Sequence, residues 1–124
     1  MKTAKSHTIL IIEPDVQFRE ELYNFLLAAG YEQVTATDSL TTALESIRHA
    51  AYAVILAAAA APGAGGLQVA HDIAALSPTT KTILMINAED QDAWQQRAAH
   101  IVGVHFLLKM TFAYNVLYLL ADCT

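Results

Sequence analysis

Apolar residues fall along this chain in two alternating rhythms. The first is a set of short runs that are apolar almost throughout and rich in β-branched residues: Thr8-Ile9-Leu10-Ile11-Ile12, Tyr52-Ala53-Val54-Ile55-Leu56, Thr82-Ile83-Leu84-Met85-Ile86 and Val104 to Leu108. Bounded by Pro, Gly or polar residues, such runs predict strands buried on both faces, and a shorter strand is predicted within Glu32 to Thr37 around Val34. The second rhythm has helical spacing. Phe18, Leu22, Phe25, Leu26 and Ala29 recur between an Asp15 N-cap and a Gly30 stop, and Leu40, Ala43, Leu44 and Ile47 follow the cap candidates Asp38 and Ser39. Leu67, Ala70, Ile73 and Ala74 precede Ser77-Pro78; Trp94, Ala98 and Ile101 lie on a Gln-rich helix that Asp90 opens and Gly103 ends. A last helix is predicted from Phe112 to Ala121, with Thr111 as its cap.

Strands and helices alternating through short loops predict an α/β fold, a doubly wound (βα)5 three-layer sandwich around a five-stranded parallel sheet. Strands one and five are expected to border strand three. No repeat, linker or charge run marks a boundary, so residues 1–124 are expected to form one domain with its core over about 8–121. In such sheets ligands sit beyond the carboxyl ends of the strands. The third strand ends in five alanines (Ala57 to Ala61) and Pro62-Gly63-Ala64-Gly65-Gly66, a stretch with the shape of a site and without chargeable, phosphorylatable or metal-binding groups.

Composition narrows the function classes. At 124 residues the chain can bury roughly two-thirds of its unfolded surface. The uncharged run Ala50 to Ala61 is well short of the ~20 residues that span a bilayer, and no apolar stretch before Glu13 reads as a secretory signal, so a cytoplasmic setting without membrane attachment is expected. The single Cys123 offers no internal disulfide, and a net charge of −5 argues against direct nucleic-acid binding. His7, His49, His71, His100 and His105 lack ligand spacing, so no metal site is expected from them. Gly63-x-Gly65-Gly66 lacks the lysine of a phosphate-binding loop, and no nucleophile stands beside a base; an enzyme is not expected.

Certain positions acquire meaning together. Ile11-Ile12-Glu13, Arg19, Gly30-Tyr31, Tyr52 six positions before Ala58, Pro62 and Gly66, Asn87-Ala88, Gly103 and Phe106-Leu107-Leu108-Lys109 occur in the order and spacing of a receiver domain of bacterial two-component response regulators. From about Thr8 to Ala121 the chain resembles this CheY-like, flavodoxin-like family. The resemblance implies a phosphoacceptor aspartate at the end of strand three, two acids after strand one that hold Mg²⁺, a hydroxyl residue after strand four and a lysine after strand five. Such a set suits phosphoryl transfer: a carboxylate nucleophile, a hard cation and fixed positive charge. In this chain the acceptor position is Ala58, the two acid positions are Glu13 and Pro14, the hydroxyl position is Asn87, and Met110 replaces the usual proline after Lys109.

The resemblance therefore implies a degenerate pocket, a pseudo-receiver in which Mg²⁺ binding is lost or weak and no other cofactor is called for. Lys109 is expected either to pair with Glu13, with Asn87 hydrogen-bonding nearby, or to be solvated. Phe106 occupies the family's aromatic switch position and is expected to be fixed core. In the last helix Phe112, Val116, Leu119 and Leu120 share one face, while Tyr114, Leu117, Tyr118 and Ala121 share the other. Since the family uses helix four, strand five and helix five for partners, Tyr114, Leu117 and Tyr118 are the candidate interface with a protein partner or a second copy, unless the tyrosines simply present their hydroxyls to water. Trp94 is either an interface anchor or a packing residue. The expected function is signalling by phosphorylation-independent protein contacts, with an output domain following if the chain is a fragment. The alternatives are a conventional phosphorelay receiver disabled by engineering at Ala58, and a flavodoxin-like small-ligand binding module.

Overall fold

A computed structural model describes residues 7–59, 67–97 and 104–121. Five parallel strands, β1 (Ile9–Ile12), β2 (Val34–Thr37), β3 (Val54–Ala58), β4 (Lys81–Ile86) and β5 (Val104–Leu108), lie in the order β2-β1-β3-β4-β5. The helices that join and follow them are α1 (Val16–Ala28), α2 (Leu40–His49), α3 (Leu67–Leu76), α4 (Gln91–Arg97) and α5 (Phe112–Ala121). The predicted doubly wound α/β architecture is the one observed. Pro62 to Gly66, Ala98, Ile101, Gly103 and Cys123, which the sequence reading invoked, lie outside the described residues.

Local chemistry sets the boundaries. Asp15 caps α1, its side chain accepting a hydrogen bond from the backbone N–H of Gln17 at 3.1 Å, and Ser39 rather than Asp38 caps α2 through the N–H of Thr42. Gly30, with φ of 104°, ends the first helical unit in a conformation that a Cβ would oppose. The expected Thr111 cap is not observed. Thr111 instead belongs to a 3₁₀ turn (Lys109–Thr111) that runs directly into α5.

Side chains of the central strands alternate between two apolar layers. Ile9, Ile11, Val54, Leu56, Ile83, Met85 and Leu107 pack with Leu22 and Leu26 of α1 and Val116 and Leu120 of α5. Leu10, Ile12, Ile55, Ala57, Leu84 and Ile86 pack on the other side with Ala43 and Ile47 of α2, Ala70 and Ile73 of α3, and Trp94 of α4. Because helices cover both faces, the strands read as unbroken apolar runs instead of alternating ones. Trp94 is buried and belongs to this second layer, which settles its role as packing.

One topological expectation is corrected: β5 pairs with β4, with Leu84 opposite Phe106 and Met85 opposite Leu107, and does not border β3. The chain winds outward from β1 in both directions, so β3 and β4 both stand between β1 and β5. Among the described residues no helix is long and apolar enough to cross a membrane.

Replacing Gly30 by Ala is expected to lower the unfolding free energy by roughly 1–2 kcal/mol, because the added Cβ opposes the positive φ that ends the α1 unit. Urea denaturation of the two proteins measures it.

Candidate functional site at the carboxyl end of the sheet

Parallel strands bring their carboxyl ends to one edge of the sheet, and the polar residues singled out in the sequence meet there. Register fixes their order. Ile12 stands opposite Ala57, so Glu13 and Ala58 are the next positions along β1 and β3; Ala58 stands opposite Met85, two residues before Asn87, and Met85 stands opposite Leu107, two before Lys109.

Glu13 is the one acidic side chain buried among the described residues, at 1% exposure. A buried carboxylate has to be paired or hydrogen-bonded to remain ionised at little cost. Its Oε2 accepts a hydrogen bond from the backbone N–H of Asp15 at 3.1 Å, and its Oε1 lies 2.6 Å from Nζ of Lys109. Apart from that ammonium, no donor reaches Oε1 among the described residues. The Glu13 carbonyl oxygen accepts from the Arg19 guanidinium at 2.8 Å, which ties the first turns of α1 to the end of β1. The Lys109 side chain, 22% exposed, thus bridges the carboxyl ends of β3 and β4 to meet a partner on β1.

The ammonium has a second neighbour that sequence reasoning missed. Nζ of Lys109 lies 5.1 Å from the centroid of the Phe18 ring, within cation–π range. Phe18 meets Phe112 edge to face at 5.3 Å, and Phe112 meets Phe25 in the same way at 5.3 Å. The helical spacing of Phe18 and Phe25 carries no sign that a lysine far along the chain lies over the first of them. At the other end of α5, Lys81 Nζ donates to the carbonyl oxygen of Leu119 at 2.7 Å, placing a cation at the carboxyl end of the helix, where the macrodipole favours positive charge.

The remaining expected site residues stand apart from the pair. Ala58 is half-buried and contributes a methyl to the core beside α1 and α5. Pro14 is exposed and has no carboxylate to offer. Asn87 is exposed, and among the described residues no hydrogen bond joins its side chain to Glu13 or Lys109, so the expected Asn87 contact is not formed. Among the described residues the oxygen donors do not fit a magnesium ion, which prefers octahedral oxygen coordination. Glu13 supplies the buried carboxylate, and both its oxygens are already engaged; Asp15 is exposed and caps α1. Phe106 is half-buried against the layer formed by α2, α3 and α4. Tyr114, Leu117 and Tyr118 are 86, 37 and 75% exposed, and Met110, which the sequence reading did not assign to this surface, is 85% exposed.

The sequence profile of the response regulator receiver domain family matches residues 9–118, nearly the whole sheet and its helices. The chain belongs to this family. As a receiver domain it is a signal transduction module, and solved structures share its fold. The chemotaxis response regulator CheY4 of Vibrio cholerae is 17% identical, with a TM-score of 0.79 over 96% of this chain and 99% of that one. The receiver domain of the sensor histidine kinase PA1611 from Pseudomonas aeruginosa, solved with magnesium in its active site cleft, is 19% identical, with a TM-score of 0.75 over 95% of this chain and 97% of that one. An adenylate cyclase from Rhodopirellula baltica is 22% identical, with a TM-score of 0.77 over 93% of this chain and 84% of that one. At these identities the likeness is one of fold. No curated protein matches this receiver domain significantly.

Replacing Lys109 by Met is expected to lower the unfolding free energy by roughly 2–4 kcal/mol, somewhat below the loss for a fully buried pair because Lys109 is partly exposed. A Glu13→Gln/Lys109→Met double variant is expected to lose less than the sum of the two single losses, as urea denaturation of all four proteins would measure.

Proposed function

We propose that this receiver domain signals through protein contacts without being phosphorylated at the end of β3. The observation that carries the reading is Ala58, which presents a methyl where a phosphoacceptor would stand; the engagement of Lys109 by Glu13 at 2.6 Å supports it. In a phosphorylatable receiver that lysine meets charge arriving on the acceptor. Here its partner is a carboxylate inside the fold, so the lysine at the carboxyl end of the sheet is held in one arrangement. Without an acceptor or a magnesium donor set, the domain performs no phosphoryl chemistry and needs no cofactor.

Protein contact is then assigned to the face of α5 turned away from the core. Tyr114, Leu117 and Tyr118 of α5 follow one another at helical spacing and remain exposed, as does Met110 in the turn before the helix, while Val116 and Leu120 are buried on the opposite side. Aromatic residues that are apolar along the body and polar at the tip suit a protein interface. α5 also adjoins β5, an edge of the sheet.

Incubated with acetyl phosphate and Mg²⁺, the protein is expected to gain no phosphoryl adduct by intact mass; a stoichiometric, acid-labile adduct would overturn the proposal. Ala58→Asp tests the alternative of a receiver disabled at one position. Pro14 and Asn87 remain in that variant, so it is expected to stay unphosphorylated. It is also expected to lose roughly 1–3 kcal/mol of stability, because a second carboxylate is placed beside Glu13 with one lysine to serve both. Robust phosphorylation of the variant would favour the disabled-receiver reading.

A further inference from the structure

The sheet has a second open edge, β2, on the side away from β5. Backbone N–H groups of Ile9 and Glu13 donate to the carbonyl oxygens of Gln33 and Thr37, each at 2.9 Å, which turns the odd-numbered residues of β2 toward β1. Both backbone groups of a strand residue point the same way, and successive residues alternate. Val34 and Ala36 therefore direct an N–H and a C=O outward, and none of these four groups has a partner among the described residues. Beside this edge lies an open groove of about 590 Å³, walled by Arg19, Glu20, Tyr23 and Asn24 of α1 and floored by Val34 to Ala36.

Most edge strands are protected by lysine, proline or an inward-pointing charge, and Val34-Thr35-Ala36-Thr37 has none of these. Its protection is its short length and the charges at its ends. Glu32 and Asp38 flank the strand, Glu20 lies on the groove wall, all three are exposed, and none has an ion-pair partner among the described residues. Arg19, the basic group of the groove, is engaged by the Glu13 carbonyl oxygen.

We propose that the β2 edge and the α1 groove receive an extended segment of another protein as a sixth strand, with small or β-branched residues at its centre and Lys or Arg at both ends. Main-chain hydrogen bonds to Val34 and Ala36 supply the docking, and the flanking acids select the charge of the segment. The same acids disfavour a second copy of this chain. An antiparallel copy that matches the outward groups sets Val34 against Ala36 of its mate and brings Glu32 opposite Asp38, a like-charge pair at each end.

Backbone amide spectra of the isotope-labelled protein, titrated with the peptide Lys-Arg-Val-Thr-Val-Thr-Arg-Lys, test this. Saturable shifts centred on Val34 and Ala36 are expected, with binding at least about tenfold weaker for the same core flanked by Glu. The exposed double substitution Glu32→Lys/Asp38→Lys should reverse that preference, and Ala36→Pro, which deletes one outward N–H, should abolish the shifts while the unchanged amide spectrum of the rest of the sheet reports an intact fold. The proposal is overturned by equal binding of both peptides, by shifts centred elsewhere, or by β2 shifts that follow protein dilution without peptide, the mark of a second copy.

Discussion

A carboxylate sealed inside a protein must be paired or hydrogen-bonded, and in this receiver domain the pairing joins the two ends of the chain. Glu13 follows β1, is 1% exposed, and is met by Lys109 from the far side of the sheet. The contact gathers the ends of β1 and β5 over the positions between them, and it draws in α1 and α5 through the Phe18 ring beneath the ammonium and Phe112 at the edge of that ring. A surface ion pair would contribute little. This one matters because separating it would leave a charge in an apolar layer.

That requirement also bears on signalling. A lysine that can exchange partners suits a switch; a lysine already held by a buried glutamate suits a scaffold. With a methyl at Ala58, no described side chain at the end of β3 competes for the ammonium. The α5 face begins directly after the turn that contains Lys109, so the pair stands next to the surface proposed for protein contact.

Much of this was legible in the chain because it depends on short-range rules. Unbroken apolar runs marked strands covered on both sides, and Asp15, Gly30 and Ser39 marked helix ends by chemistry that acts within a few residues. A pair between Lys109 and Glu13 could be offered from the sequence, beside a solvated Lys109, because the two follow strands expected to border β3; the pair forms although β5 does not border β3. Legibility failed where the answer lay in three dimensions. Strand order is set by how the crossovers stack, so the adjacency assumed for β5 and β3 was wrong even though each strand was correctly placed. Asn87, expected to hydrogen-bond beside the pair, stands exposed and apart from it. Phe18 beneath Lys109, and Lys81 on the Leu119 carbonyl, join residues whose separation along the chain leaves no local trace.

The central claim is that Lys109 is held by Glu13 and that the carboxyl end of the sheet consequently has one state. Its most direct test is a backbone amide spectrum recorded with and without Mg²⁺ and beryllofluoride, a mimic of the acyl phosphate. The account predicts that the amides of residues 13, 58, 87 and 109 and those of the α5 face keep their positions. Saturable shifts at residues 58 and 109 that spread to Tyr114 and Tyr118 would contradict it, because they would show a lysine free to change partners and a surface that follows it.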